Sequence, residues 1–316
     1  MLNHFIFSVN AVVPMFVIMG IGYLIRNLGW TDAASNKKMN NIVFGLGLPA
    51  LMFRDISSTS LYDLFDGPFL AFAFVATTII FVVTMQIGMR YFGNRKIAGT
   101  FSQSCFRSNF AILGLPLSAS ILGVDNMGLA LLTIAFIIPL YNIYSAVAFA
   151  GEEGESLKGM AGVKIVIKNL CNPITYGVIL GVLVSLLRLP LPVMVTVPVH
   201  HIAALTTPLA LLVIGGSIDY SRAISCIKPA LWIAAIKLVL APLVFIPIAV
   251  FLGFGPDAIV VTFLMLATPT AISSYAMTVQ MGGDEDLVLN SILSTMTLGL
   301  FTLTFGLFIM RTIGII

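Results

Sequence analysis

A succession of apolar runs, each about as long as a lipid bilayer is thick, restricts the fold of this chain more than any motif does. They lie at about 5–25, 39–56, 68–90, 98–122, 127–150, 170–188, 198–218, 229–252, 257–281 and 287–310, separated by polar or charged breaks. A spanning helix needs about 20 apolar residues, and hydrocarbon offers nothing to hydrogen-bond a bare backbone, so runs of this length must be helical. They cannot share one soluble core: 59% of residues are hydrophobic and 9% charged, whereas soluble domains carry about a quarter charged residues. The expected fold is an all-α membrane protein of ten transmembrane helices, multi-pass in a cell membrane. Two runs are irregular. The 39–56 run is short and interrupted by Gly and Pro, and the 198–218 run opens on His200 and His201; either is a candidate for tilt or partial unwinding. Phe5 to Ile25 lacks a basic flank and a cleavage site and reads as the first helix, not as a signal peptide.

Lysine and arginine set the expected orientation. Arg26, Lys37 and Lys38, then Arg90, Arg95 and Lys96, then Lys158, Lys164 and Lys168, then Arg222 and Lys228 fall on one side, eleven in all. Arg54, Arg188 and Arg311 fall on the other. The first side is therefore expected inside and both termini outside. Asp284, Glu285 and Asp286 sit at an inner loop without a basic residue, but acidic groups weigh little in this rule. The net charge of +3 is spread over loops and points to no nucleic acid. Cys105, Cys171 and Cys226 stand singly without CxxC or metal spacing and read as small hydrophobes, so no metal and no cofactor is expected.

The longest hydrophilic stretch, Gly151 to Lys168, divides the runs five and five. This gives a first five-helix repeat over 1–150, a connecting loop over 151–169 and a second repeat over 170–316. An odd number of helices per half requires the second repeat to be inverted. Pro14 and Pro173 are 159 positions apart, as are Gly22 and Gly181, and Pro49 and Pro208; Pro116 and Pro269 are 153 apart.

A proline within a spanning helix removes a donor and clashes with the preceding turn, so it kinks or breaks the helix. Asn109-Phe-Ala-Ile-Leu-Gly114-Leu-Pro116 in the fourth run and Ala267-Thr268-Pro269-Thr270-Ala271 in the ninth place such residues near mid-bilayer. Unwound backbone at that depth is tolerated only when buried or lining a wet cavity. Gly114, Pro116 and Pro269 are therefore expected at a crossing of two broken helices, facing each other across a central cavity. Half-helix N-termini carry about half a positive charge, which suits a carboxylate. Half-helix C-termini there need a cation, and Lys237 stands about 12 Å along its helix from Pro229 at 1.5 Å per residue, deep in a core roughly 30 Å thick. It either neutralises the crossing or holds the substrate.

Arg107 is similarly deep; it is either an anion ligand or a side chain snorkelling to the headgroups from a helix that starts later. Asn142, in a run with Pro139, Tyr141 and Tyr144, needs a partner: substrate or a neighbouring helix. Thr268 and Thr270 supply hydroxyls at the ninth-run break. Ser273, Ser274 and Gln280 are further candidates, although hydroxyls in membrane helices often bond their own backbone. His200 and His201 read as interfacial anchors before a proton relay, and Gly177-x-x-x-Gly181 as a packing face. HExxH, GxSxG and GxxxxGK[ST] are absent, as is a pair of intramembrane acids, so neither an enzyme nor an ATP-driven pump is expected.

Several runs together resemble the auxin efflux carrier family, which includes the plant PIN auxin carriers and bacterial malate or malonate permeases. Asn109, Gly114 and Pro116 match its fourth-helix pattern. Asn172, Pro173, Thr175, Tyr176 and Gly181 match Asn-Pro-x-Thr-Tyr followed by Gly; Asn40 and Pro49 stand at the family spacing, and Lys237 precedes Pro242 by five, where the plant carriers place a basic residue. The resemblance covers essentially the whole chain. It implies a fold like that of sodium–proton and bile-acid transporters, with the fourth and ninth helices crossing at their prolines. It also implies a scaffold of helices one, two, six and seven, a mobile unit of three to five and eight to ten, elevator-type transport, a homodimer, and Asn109 as a substrate ligand. The long cytoplasmic loop of many plant members is reduced here to Gly151–Lys168, so regulation through that loop is not expected, and an auxin substrate is not implied; a prokaryotic source, with the chain in a bacterial inner membrane, is the simpler setting.

The expected function is secondary transport of a small organic acid. No acidic residue is placed at the crossing, so a proton or sodium ion as coupling ion finds little support in the sequence and uniport stays open. The alternatives are an anion channel or a non-transporting receptor on the same fold, and a membrane-embedded enzyme.

Overall fold

The computed structural model describes residues 2–58, 66–123, 126–149, 173–217 and 226–316. Cys171, Asn172, Arg222 and the Gly151–Lys168 loop lie outside the described residues, as do the side chains of Ala276 and Gln280. The described chain is helical: α1 Leu2–Asn27, α2 Ala33–Ile42, α3 Leu48–Ser57, α4 Gly67–Phe92, α5 Arg95–Phe106, α6 Leu115–Leu122, α7 Gly128–Phe149, α8 Pro173–Leu186, α9 Val193–Gly216, α10 Ile227–Ala235, α11 Ala241–Phe251, α12 Pro256–Ala267, α13 Ser273–Gln280 and α14 Glu285–Thr312. Among the described residues, six stretches are long and apolar enough to cross a membrane: α1, α4, α7, α9, α10 through α11, and α14. On α4, Phe72, Ala73, Ala76 and Ile80 are buried while Phe74, Val75, Ile79, Val82 and Val83 are exposed. A helix apolar on its covered and uncovered sides alike requires lipid as its outer solvent. Asp32, Asp66, Asn94 and Asp284 accept N–H groups of the following helix's first turn and fix where α2, α4, α5 and α14 begin.

Prolines shape the spans in a way their sequence positions do not announce. Pro49, Pro116 and Pro242 each occupy the second position of an α-helix preceded by a π-helical segment, Val43–Gly47, Phe110–Gly114 and Ile236–Leu240 respectively. In each case the N–H just before the proline reaches back five residues: Leu48 to Val43 O, Leu115 to Phe110 O, Ala241 to Ile236 O. The pyrrolidine ring would collide with the carbonyl four residues earlier, and a turn widened by one residue relieves that clash without stopping the helix. The span ending at Pro116 thus continues through its proline, and the 39–56 run is locally widened as its Gly and Pro suggest. Pro14, Pro139 and Pro208 sit inside uninterrupted α-helix. The 198–218 run is also regular and begins earlier, at Val193, so its two histidines do not mark an unwound start.

Helices approach each other through glycine. A Cβ on Gly22 of α1 would strike the Leu212 carbonyl of α9, and one on Gly215 of α9 would strike the Met19 carbonyl of α1. A Cβ on Gly177 of α8 would meet the backbone of Pro49 in α3, and one on Gly181 would lie 3.0 Å from Ile56 Cβ. The Gly177-x-x-x-Gly181 face is therefore a packing face, as its spacing predicts. These contacts join α1 with α9 and α3 with α8. Elsewhere α5 lies against α4 and α7, α10 against α14, and α12 against α11 and α7.

Candidate functional site

Two spans are interrupted rather than widened. α5 ends at Phe106 and helix resumes at Phe110; Arg107 is extended at φ −82°, ψ 103°, and Asn109 lies outside the helical region at φ −79°, ψ 46°. α12 ends at Ala267 and α13 begins at Ser273; Thr268 is extended at φ −66°, ψ 144°. The second break has a local cause, because the residue before a proline is driven out of the α region. The first has none of that kind, and what holds it open is the second. Ser108 and Thr270 form an antiparallel bridge, Asn109 N donates to Pro269 O at 2.8 Å, and Ala271 N donates to Arg107 O at 3.1 Å. Each break satisfies backbone groups that the other has freed, which is the condition for irregular chain at membrane depth. The two breaks touch directly and do not face each other across a cavity. The first lies at Arg107–Asn109, ahead of Gly114 and Pro116, which belong to the continuous helix beyond it. Gly114 is required there, since a Cβ would enter the Phe110 ring.

The side chains around this crossing are polar and shut away from solvent. Asn109 is 3% exposed and Arg107 7%, while Thr268 and Thr270 are fully buried. Arg107 donates from Nη1 to Asn142 Oδ1 at 2.8 Å and to Ser145 Oγ at 3.5 Å, and from Nε to Ser273 Oγ at 3.3 Å. Asn142 thus supports the guanidinium, and snorkelling to the headgroups is not what Arg107 does. Gln103 extends the network, donating to Ser145 Oγ at 3.0 Å and accepting from Thr278 Oγ1 at 2.9 Å. Thr270 donates to Ser104 O at 2.8 Å, and its own N–H donates to Thr295 Oγ1 at 3.0 Å. Lys237 is 1% exposed, and its Nζ donates to Cys105 O at 3.1 Å and to Ser108 Oγ at 2.7 Å.

Two features set this centre apart. Among the described residues, Arg107 and Lys237 are buried and no Asp or Glu is. Both cations donate to neutral groups, Arg107 to Asn142, Ser145 and Ser273 and Lys237 to Cys105 O and Ser108, although a buried charge is strongly disfavoured unless it is compensated. Second, Asn109 Nδ2, Thr268 Oγ1, Ser104 Oγ and Ser274 Oγ are buried without a hydrogen-bond partner. Native interiors leave few such atoms, and each is a candidate ligand contact. The helix starting at Phe110 directs its leading N–H groups and positive dipole end to the same crossing. Two buried cations without a buried carboxylate among the described residues, an amide donor without a partner and a helix N-terminus thus meet at one place.

The residues singled out in the sequence are thus largely gathered here: Arg107, Asn109, Asn142, Thr268, Thr270, Ser273, Pro269 and Lys237 share one network or its backbone bridge. His200 and His201 do not; they are exposed, with rings 6.1 Å apart, and line a separate surface cleft of about 640 Å³ that also carries Arg54. Ser108, Ser145, Gln103 and Thr295 were not singled out. For Gln103 and Ser108 the one signal is local, since Ser102-Gln-Ser-Cys-Phe-Arg-Ser-Asn109 is a polar run within an otherwise apolar stretch; Ser145 and Thr295 lie in other runs and carry no such signal. No cluster of His, Cys, Asp or Glu suited to a metal occurs among the described residues.

Comparison with known proteins places this geometry in context. A family model described as membrane transport protein matches residues 7–307. An "Uncharacterized transporter" of Methanothermobacter thermautotrophicus is 22% identical over 307 residues, covering 95% of this chain and 97% of that protein. A "Putative malonate transporter" of Rhizobium meliloti is 25% identical over 308 residues, covering 95% of each.

Proposed function

Because the chain belongs to the membrane transport protein family, the family of auxin efflux carriers, and is a multi-pass membrane protein, we propose that it is a secondary carrier of a small organic anion bound at the crossing of its two interrupted helices. The observation that carries this reading is the pair of buried cations with no buried carboxylate among the described residues. Arg107 takes the carboxylate: its Nε and Nη1 are held by Ser273, Asn142 and Ser145, and Nη2, which donates to no described residue, is left for the solute. Asn109 Nδ2 and the hydroxyls of Thr268 and Ser274 supply neutral contacts. A malonate-like acid fits this donor set and agrees with the name of one relative.

The same reading assigns ten helices in two inverted halves, with the described segments α2 with α3, α5 with α6, α10 with α11 and α12 with α13 each forming one span. Contacts exchanged between the halves support it: α1 packs on α9 through Gly22, and α8 packs on α3 through Gly181, the glycine 159 positions later. α1 to α3 with α8 and α9 form the scaffold, and α4 to α7 with α10 to α14 form the mobile unit. Burial of the crossing on all sides supports an occluded conformation and transport by alternating access rather than through a continuous pore. Homodimeric assembly in a prokaryotic membrane with both termini outside belongs to the same proposal.

Proteoliposomes loaded with unlabelled malonate test it. Saturable counterflow of labelled malonate, competed by related acids and not by their amides, is expected. Unitary currents carried by the anion would support the channel alternative, and malonate bound without being moved would support a receptor.

A further inference from the structure

The backbone accounting at the end of α5 points to the ion requirement of the carrier. In an unbroken helix the carbonyls of Ser104 and Cys105 would accept from the N–H groups of Ser108 and Asn109. Asn109 N donates instead to Pro269 O, so the Cys105 carbonyl loses its helical donor. Ser104 O is satisfied by the Thr270 hydroxyl, and Cys105 O by the ammonium of Lys237 from the π segment of another span. That ammonium also donates to Ser108 Oγ. A freed carbonyl and a hydroxyl at the C-terminal end of a half-helix, where the dipole leaves about half a negative charge, are the kind of ligands with which ion-driven carriers hold sodium at their broken helices.

We propose that the tethered ammonium of Lys237 occupies the place at this crossing that a coupling sodium ion takes in such carriers, so that the chain moves its anion without sodium. The inference rests on the crossing being the solute site. The oxygens that a sodium ion would need are already donated to, a second cation beside Nζ would be repelled, and no carboxylate among the described residues is buried to offset it. Because Ser108 lies between Arg107 and Asn109 in sequence, the lysine fixes the strand that presents both anion contacts. Unlike an exchangeable ion, it cannot leave when the solute does.

The test uses purified full-length protein and compares sodium with choline. Replacing sodium on both sides of proteoliposomes is expected to leave labelled malonate uptake within about twofold, and the melting temperature is expected to be the same in either salt. Lys237→Ser, which opens the place and adds a hydroxyl, should melt several degrees lower in choline and recover part of that loss in sodium alone. Lys237→Arg keeps the charge and should stay indifferent to sodium. A fall in wild-type uptake of about tenfold or more without sodium, saturable binding of radiolabelled sodium to the wild type, or a Lys237→Ser protein as stable as wild type in choline would overturn the proposal. Should Lys237→Ser not be recovered folded, the wild-type uptake and sodium-binding measurements decide. If malonate fails to enter under every ionic condition, the malonate assignment falls, while the melting comparison still decides the role of the lysine.

Discussion

The two interruptions are alike in backbone and unlike in chemistry. Each leaves a few residues outside helical geometry, and each completes the other through the Ser108–Thr270 bridge. Yet Arg107 and Asn109 lie on the first, and Lys237 caps the helix end that leads into it, whereas Thr268-Pro269-Thr270 offers hydroxyls and no charge. The comparison teaches that a crossing can be shared equally as structure while its electrostatics come from one side. The second break supplies the conformational cause, through the proline that holds Thr268 extended; the first carries the charged and amide side chains.

That division makes graded predictions. Arg107→Gln removes the guanidinium proposed to take the carboxylate, and a charge-assisted bond is worth about 1.5–3 kcal/mol, so malonate affinity should fall roughly tenfold to a hundredfold. Arg107→Lys should recover only part of it, because the two-sided support from Asn142 and Ser273 depends on the planar fork. Equal activity of Arg107→Gln and wild type in counterflow would erase the asymmetry. Asn109→Ala removes a neutral donor and should weaken binding about fivefold, at about 1 kcal/mol, with little change in melting temperature, since its Nδ2 has no protein partner to lose. Thr268→Val should change affinity less still and leave stability equal or slightly raised, because it deletes an unsatisfied buried hydroxyl. A large loss of stability there would show that the hydroxyl is bonded after all.

Gly215→Ala provides a control away from the crossing. Its Cβ would overlap the Met19 carbonyl in α1, so the folded yield should drop by the overpacking penalty of about 1–3 kcal/mol. Malonate affinity of the surviving protein should remain near wild type. If affinity falls in step with stability, the crossing and the α1–α9 seam are not independent.

Much of this was legible in the residues. The apolar runs announce spans, and the Thr-Pro-Thr sequence marks the second break at its true place because a pre-proline residue has a strong local preference. The first break was expected near Gly114 and Pro116 and lies earlier, since Pro116 is absorbed by a π turn and the real interruption is imposed by contact with Pro269 and Ala271. No local rule could place it. Arg107, Lys237 and Asn142 were readable as costly polar groups in an apolar setting. Which of them donates to which was not, because it depends on the approach of α7 and of the stretch containing α10 and α11. Ser108 and Ser145 stayed hidden because hydroxyls commonly bond their own helix, and Ser145 does also donate to Tyr141 O.

The central claim is that Arg107, buried without an acidic partner, awaits the negative charge of the solute. Melting curves of wild type and Arg107→Gln with malonate, and with malonamide, its uncharged counterpart, test this without requiring transport. The account predicts that malonate stabilises the wild type in proportion to its concentration, that malonamide does not, and that Arg107→Gln responds to neither. Equal stabilisation of both proteins by malonate, or equal effects of the acid and the amide on the wild type, would contradict it.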